Sequence, residues 1–312
     1  MTYCPRLIDS INIPNLIEKI HTETVHVIPS RTSEYKFIFV LLNDETGNIT
    51  RAIQEDEILK TRIQSKKNNR IDTLPSFWDV WNANEKLSRA ILDSIDPNEE
   101  KWKCMKSFGY KLATTFMPLY AKSIYEHFNA TSVLDPCSGW GDRLLGAALS
   151  PCVKKYIGFD PNHNLQFGYC SIMELMHHTT IAVESDKMVF SNNFECVSLP
   201  FETGAISLES NSFDLVFTSP PFFEYEIYCS TNPKYKDWIV EFYTPLFIQS
   251  CRCVKVTGYV AIYIDNTLSG EIHSFLLNQV HLITSLKFVY KIGLQGQFSG
   301  KTRPVWVFQK MN

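Results

Sequence analysis

The sequence predicts an α/β protein: a doubly wound, mostly parallel, seven-stranded sheet that ends in an antiparallel C-terminal hairpin, with a small α+β region ahead of it. Three observations carry this. Seven apolar segments recur between residues 132 and 310, with helical candidates around 143–149, 163–177, 236–253 and 271–280. Apolar strands alternating with helices specify a parallel sheet covered on both faces. The last two segments are joined by a loop with no room for a crossover helix, so they must pair antiparallel. The texture also shifts near residue 100, which divides an accessory region over 1–100, a candidate for target recognition, from a main domain over 101–312.

In chain order, Lys36 to Leu42 and Ile49 to Ile53 read as strand, turn, strand, because NDETGN separates two apolar runs. Residues 55–70 turn polar and are expected to be helical. Within them, Lys60, Arg62, Lys66, Lys67 and Arg70 form a basic stripe with no acid between. Ser76 to Ile95 has apolar residues at helical spacing, and Asp96-Pro97 stops it. The seven strands of the main domain follow at 132–138, 155–161, 194–200, 213–221, 259–265, 286–292 and 304–310.

Composition narrows the classes. The chain has 312 residues, 45% hydrophobic and 20% charged, with 13 glycines and 15 prolines, which excludes a disordered, collagen-like or disulfide-scaffold protein. Thirty basic against 33 acidic residues leave a net charge of -3, so no overall basic field announces nucleic acid. Nine scattered cysteines read as reduced thiols, and Cys251 and Cys253 form a lone C-x-C that does not make a zinc site. No metal is expected. The first residues have no secretory pattern and no window of about 18 apolar residues occurs. The expectation is a soluble intracellular protein, with cytoplasm and nucleus undecided.

The chemistry begins at Val133-Leu-Asp-Pro-Cys-Ser-Gly-Trp-Gly-Asp-Arg-Leu-Leu-Gly-Ala147, a buried strand, an acid at its carboxyl end, a glycine turn and a helix. Gly139 and Gly141 allow a sharp turn and close approach of a ligand. The third glycine, Gly146, comes five residues after the second instead of three, so the dinucleotide fingerprint is absent. Asp135 would repel a pyrophosphate but suits a cation, such as a sulfonium bearing an amino-acid tail whose ammonium Asp135 could accept. Asp160, 19 residues beyond Gly141, is placed to hold two ribose hydroxyls, and Glu202 or its backbone could meet an adenine edge.

The fourth strand exits into Thr218-Ser219-Pro220-Pro221-Phe222-Phe223. Neither proline has an N–H, so the rigid turn presents the Ser219 hydroxyl and the Pro220 carbonyl as acceptors for an amine. Phe222 offers a face on which a flat ring can stack.

These two motifs together resemble the S-adenosylmethionine-dependent amino-methyltransferases of nucleic acids, which modify adenine N6 or cytosine N4. DPCSGWG is similar to their cofactor motif, Ser219-Pro220-Pro221-Phe222 to their catalytic tetrapeptide, and Phe116-Met117-Pro118 to the F-x-P element that closes over the methionine end. The runs DPCSGWGDRLLGA and TSPPFFEYEIY look close to DNA methyltransferases of phages and large DNA viruses. The resemblance covers roughly 105–310.

It implies a Rossmann-like class I methyltransferase fold and S-adenosyl-L-methionine as cofactor. Cofactor contacts would come from Phe116, Pro118, Asp135, Pro136, Cys137, Gly139, Gly141, Asp160, Glu202 and Ser219. Catalysis would fall to Ser219, Pro220, Pro221 and Phe222, acting on a flipped or single-stranded base. Nucleic acid, DNA ahead of RNA, would meet Phe222, Phe223, Tyr225, Lys66, Lys67, Arg70, Lys301 and Arg303. For the 60–70 stripe a solvated helix face weighs more than phosphate contact, because residues 1–100 carry 12 basic and 16 acidic groups. The chain shows no long inserted target-recognition segment. RNA adenine methylation, methylation of a protein glutamine amide and a non-catalytic scaffold remain as alternatives. A homodimer or an accessory subunit is left open.

Overall fold

The computed structural model describes residues 25–41, 66–67, 115–221, 226–227, 237–264, 270–295 and 302–312, with backbone alone at 66–67 and 226–227. Its strands in chain order are β1 (His26–Pro29), β2 (Phe37–Val40), β3 (Lys66–Lys67), β4 (Ser132–Asp135), β5 (Lys155–Phe159), β6 (Thr180–Val183), β7 (Lys187–Phe190), β8 (Phe194–Val197), β9 (Phe213–Thr218), β10 (Glu226–Ile227), β11 (Val254–Tyr263), β12 (Leu286–Gln295) and β13 (Thr302–Lys310). The helices are α1 (Pro118–His127), α2 (Asp142–Ala148), α3 (Gln166–Leu175), α4 (Phe201–Gly204), α5 (Thr244–Cys253), α6 (Gly270–Asn278) and α7 (Val280–Ile283).

All but β3 and β10 join one sheet in the order β1-β2-β12-β13-β11-β9-β4-β5-β8-β7-β6. The seven strands expected from the sequence are its middle. Five of them, β8, β5, β4, β9 and β11, run parallel. β13 pairs antiparallel with β11 and β12, which forms the expected reversed hairpin. The strand order reverses between β4 and β9, and open α/β sheets bind ligands at the carboxyl ends of strands beside such a switch.

Alternation along each strand fills two cores. Val133, Leu215 and Phe217 face α1, α2 and α3 on one side; Leu134, Val216 and Ile262 face α4, α5 and α6 on the other. Each fully buried aliphatic or aromatic side chain contributes about 2 kcal/mol, so burial on both faces explains why these strands read as nearly continuous apolar runs.

Helix α1 starts where Pro118, at a helix start, needs no N–H partner. Gly146 of α2 lies against it: a Cβ there would stand 2.7 Å from both the Ala121 Cβ and the Pro118 carbonyl. The third glycine of the motif thus serves close helix packing.

The structure also departs from the expectation. β1 and the β6–β7 hairpin extend the two sheet edges beyond the seven predicted strands. β2 pairs parallel with β12, and the Lys36 amide donates to the Lys291 carbonyl at 2.8 Å, so this part of the first hundred residues continues the main sheet. Helix was expected across 55–70, but at Lys66–Lys67 the backbone is a strand paired antiparallel with β10. Pairing with a distant segment overrides local propensity there. The segments Ile49 to Ile53 and Ser76 to Ile95 lie outside the described residues.

Candidate functional site

The carboxyl ends of β4, β5 and β9 converge on the turn Asp135–Asp142. Gly139 (φ +55°) and Gly141 (φ +80°) both adopt left-handed backbone. At Gly141 a Cβ would also stand 2.9 Å from Ile172 Cδ1, so space and φ both demand glycine. At Gly139 such a Cβ would make only ordinary contacts, with the Cys137 carbonyl at 3.8 Å and Arg143 Nη2 at 3.9 Å, so its positive φ and not space favours glycine there. Only Cys137 and Gly139 are partly exposed between Asp135 and Asp142; Pro136 and the rest are buried.

The turn is pinned to β5. The Ser138 amide donates to the Phe159 carbonyl at 2.7 Å and the Gly139 amide to Asp160 Oδ2 at 3.0 Å. From α3, the Tyr169 hydroxyl donates to the Gly139 carbonyl at 2.6 Å. Gly158 beneath must lack a side chain, since a Cβ would run into Ser138 Oγ.

The turn is also tied to the catalytic candidate. The Cys137 amide donates to Thr218 Oγ1 at 3.0 Å, and Thr218, fully buried, immediately precedes Ser219. The glycine turn and the Ser219-Pro220-Pro221 corner are therefore side by side. From α5's preceding π-helical turn (Ile239–Tyr243), the Tyr243 hydroxyl donates to the Pro221 carbonyl at 3.4 Å. A π-turn shifts side-chain phase along a helix and is frequent at functional sites. Ser219 and Pro221 are partly exposed and Pro220 is buried.

Asp135 corrects the sequence expectation. It was expected to accept from a ligand ammonium, yet it is fully buried, and its Oδ2 accepts from Arg143 Nε and from the Tyr156 hydroxyl, both at 2.9 Å. Its Oδ1 accepts from the Cys137 amide at 3.2 Å. Arg143 also donates to the Cys137 carbonyl, and its guanidinium lies 5.9 Å from the Phe116 ring centroid. A buried carboxylate requires a partner of opposite charge, and Arg143 fills that role from inside. Asp135 organises the turn from beneath.

Asp160 has a different character. It is half-buried at the end of β5 and accepts from Gly139 and, at 2.9 Å, from the Asn162 amide. Desolvation pushes its pKa up to about 6, against the lowering effect of those two amides. Asn162 is buried, and its Nδ2 has no hydrogen-bond partner among the described residues. Glu202 lies in the first turn of α4 and is partly exposed.

Phe116 packs edge-on against Phe217 and Tyr263, at 5.7 and 5.2 Å, and so reaches the ends of β9 and β11; Pro118 is buried at the start of α1. Because β13 is reversed, its first residues lie at this same carboxyl edge. Arg303 is exposed there and donates to the Tyr263 hydroxyl at 3.1 Å. Phe222, Phe223, Tyr225, Arg70 and Lys301 lie outside the described residues.

Sequence reading missed Arg143, Tyr156, Tyr169, Thr218 and Tyr243. One signal was present: Arg143 sits between Asp142 and Leu144-Leu145 in a short apolar helix, where a charge turned toward the sheet needs a buried counter-charge.

The topology defines a doubly wound, Rossmann-like α/β protein with two joined corners at its switch point. No family model matches the chain, and no curated protein does. Among solved structures it is similar to TrmN from Thermus thermophilus, with 14% identity, TM-score 0.41, and coverage of 63% of this chain and 49% of that one. It is also similar to an rRNA methylase from Streptococcus thermophilus, with 12% identity, TM-score 0.41, and coverage of 64% and 100%. A third is a methyltransferase from Geobacter sulfurreducens, with 10% identity, TM-score 0.41, and coverage of 72% and 96%. This chain spans about half the length of the Thermus protein. At such TM-scores the likenesses carry no assignment. Among the described residues, no helix is long and apolar enough to cross a membrane.

Proposed function

We propose that this chain transfers a methyl group from S-adenosyl-L-methionine to an exocyclic amine, adenine N6 or cytosine N4, of a base in DNA. The observation that carries the reading is the 3.0 Å bond from the Cys137 amide to Thr218 Oγ1, which joins the turn read as the methyl-donor side to the corner read as the amine side. The motif resemblance and the strand order support the same reading.

The residues present fit such a cofactor. Gly139 and Asp160 are partly exposed residues at the carboxyl edge, Asp160 offers its carboxylate to two ribose hydroxyls, and Asn162 Nδ2 is a buried donor without a partner among the described residues. When bound, S-adenosyl-L-methionine supplies a methyl group already activated by the sulfonium charge. The protein's task is then alignment.

An exocyclic amine is a weak nucleophile because its lone pair is delocalised into the ring. With its two N–H groups donating to the Ser219 hydroxyl and the Pro220 carbonyl, the nitrogen pyramidalises and its lone pair is drawn out of conjugation with the ring. As the N–C bond forms and the S–C bond breaks to leave a neutral thioether, the methylated nitrogen loses one of these protons to solvent. Tyr243, by holding the Pro221 carbonyl, stiffens that corner from behind. Phe222 stacks on the base, which enters flipped or single-stranded. Arg303, exposed at the same edge, meets backbone phosphate.

The test is incubation with labelled cofactor and defined DNA and RNA oligomers, with mass spectrometry of the nucleosides. Methylated adenine or cytosine from DNA is the expected result. Label in RNA alone moves the substrate to RNA, and cofactor binding without transfer to either overturns the nucleic-acid reading. A folded chain that does not bind the cofactor calorimetrically overturns the methyl-transfer reading and favours the scaffold.

A further inference from the structure

The π-turn Ile239–Tyr243 and α5 form one continuous helix that is anchored at both ends of β9. At the amino edge of the sheet the Ser212 amide donates to the Cys253 carbonyl at 2.9 Å, and Val254 pairs with Phe213. At the carboxyl edge the Tyr243 hydroxyl donates to the Pro221 carbonyl at 3.4 Å. The helix therefore runs from the catalytic corner down to the amino edge, and what precedes Tyr243 in it stands out beyond the carboxyl ends of the strands. The π-turn decides which residue shares a face with Tyr243. The Thr244 amide donates to the Ile239 carbonyl, a repeat of five residues, so Trp238 lies one turn above Tyr243 on the same side. It is no more than about 7.5 Å farther along the axis. Asp237 fixes the start of the turn, its Oδ1 accepting from the Ile239 and Val240 amides at 2.9 and 3.1 Å. The Trp238 ring packs edge-on against Phe242, with centroids 5.4 Å apart, and stays partly exposed. It is a large, rigid aromatic surface held at the rim of the crevice on the acceptor side.

We propose that Trp238 is an aromatic wall of the acceptor pocket, against which the planar ring of the base stacks while its amine is held at Ser219 and Pro220. The proposal rests on the methyl-transfer reading above and deepens it by naming a substrate-contacting residue outside both motifs. The amine is the end of the base that enters the corner, so the ring trails outward, toward the level at which Trp238 stands. Every base has a π-face, so this contact adds affinity for an extruded base without choosing among them.

The test uses the full chain and two fluorescent oligomers: one that the wild type methylates, and a copy with an abasic residue in place of the target base. W238A should bind the intact oligomer about tenfold more weakly than the wild type. On the abasic copy the two proteins should bind alike, a result that a role confined to packing on Phe242 does not produce. W238L, which keeps the apolar packing and loses the ring face, should behave as W238A does, and W238F should recover most of the affinity. Cofactor affinity, measured by calorimetry, should be the same in all four proteins, which shows that the fold is intact. Undiminished binding of the intact oligomer by W238A and W238L would overturn the wall, as would an equal loss on both oligomers, and either result leaves the methyl-transfer reading in place. A wild-type chain that methylates no oligomer removes that reading and the wall with it.

Discussion

Asp135 and Asp160 at the carboxyl edge of the sheet and Asp214 at its amino edge are acids set among the same strands, yet they are handled in opposite ways. Asp214 accepts from Lys255 Nζ at 2.6 Å, Thr131 Oγ1 at 2.6 Å and the Thr131 and Ser132 amides at 2.9 Å. It stitches together the starts of β4, β9 and β11. Although partial burial opposes the charge, these donors hold its carboxyl well below the usual range. At the carboxyl edge Asp135 is sealed away with Arg143, while desolvation pushes Asp160 up to about 6. One edge satisfies its carboxylate fully. The other keeps one acid hidden against Arg143 and another with a raised pKa, a pattern that marks Asp160 as a candidate for ligand contact.

Breaking the buried pair should have the largest effect. Arg143→Met leaves Asp135 buried without a counter-charge, and a loss of about 4 kcal/mol is expected in urea unfolding. A loss under about 1 kcal/mol would mean that Arg143 does not supply the counter-charge Asp135 depends on. Next comes Ser219→Ala, for which methyl transfer should fall about a hundredfold with cofactor affinity retained, as for removal of one polar contact made in the transition state. Single-turnover measurements separate the two quantities.

The pH response sharpens the contrast between the edges. Ionised Asp160 accepts from ribose hydroxyls far more strongly than the neutral acid, and its raised pKa means that protonation sets in as pH falls through about 6. Cofactor affinity should weaken about tenfold from pH 7 to pH 5. Asp160→Asn should bind weakly at both values and lose this dependence. The free protein responds the other way at this group: its raised folded pKa favours the protonated fold, so its contribution to stability declines as pH rises from the unfolded value toward 6. Asp214, with its lowered pKa, contributes at neutral pH and loses that contribution only as pH falls below 3.8. Asp214→Asn should cost about 1 kcal/mol, the smallest effect, and leave cofactor affinity unchanged.

The seven central strands were legible because burial on both faces wrote them as apolar runs. β1 was not, since all four of its residues are exposed and carry no alternation. The β6–β7 hairpin was missed for a related reason: Thr180–Val183 is a short edge strand, and two of its residues are exposed. Within the site, the glycine turn, Asp160 and the Ser-Pro-Pro corner could be read from residue type and position at strand ends. The partners that hold them could not. Arg143 reaches Asp135 from eight residues on, Thr218 meets Cys137 across 81, and Tyr169 meets Gly139 across 30. Such pairings become adjacent only when the sheet and helices assemble. Asp135 was misread for the same reason: an acid at a strand end looks alike in sequence whether it faces a ligand or an arginine.

Thr218 belongs to a strand and Cys137 to the turn leaving the neighbouring strand, so the gap they bridge is set by the roughly 4.8 Å lattice of the sheet and not by any loop. In the proposed reaction the separation of the donor side from the acceptor side is thereby inherited from the most rigid dimension the architecture possesses.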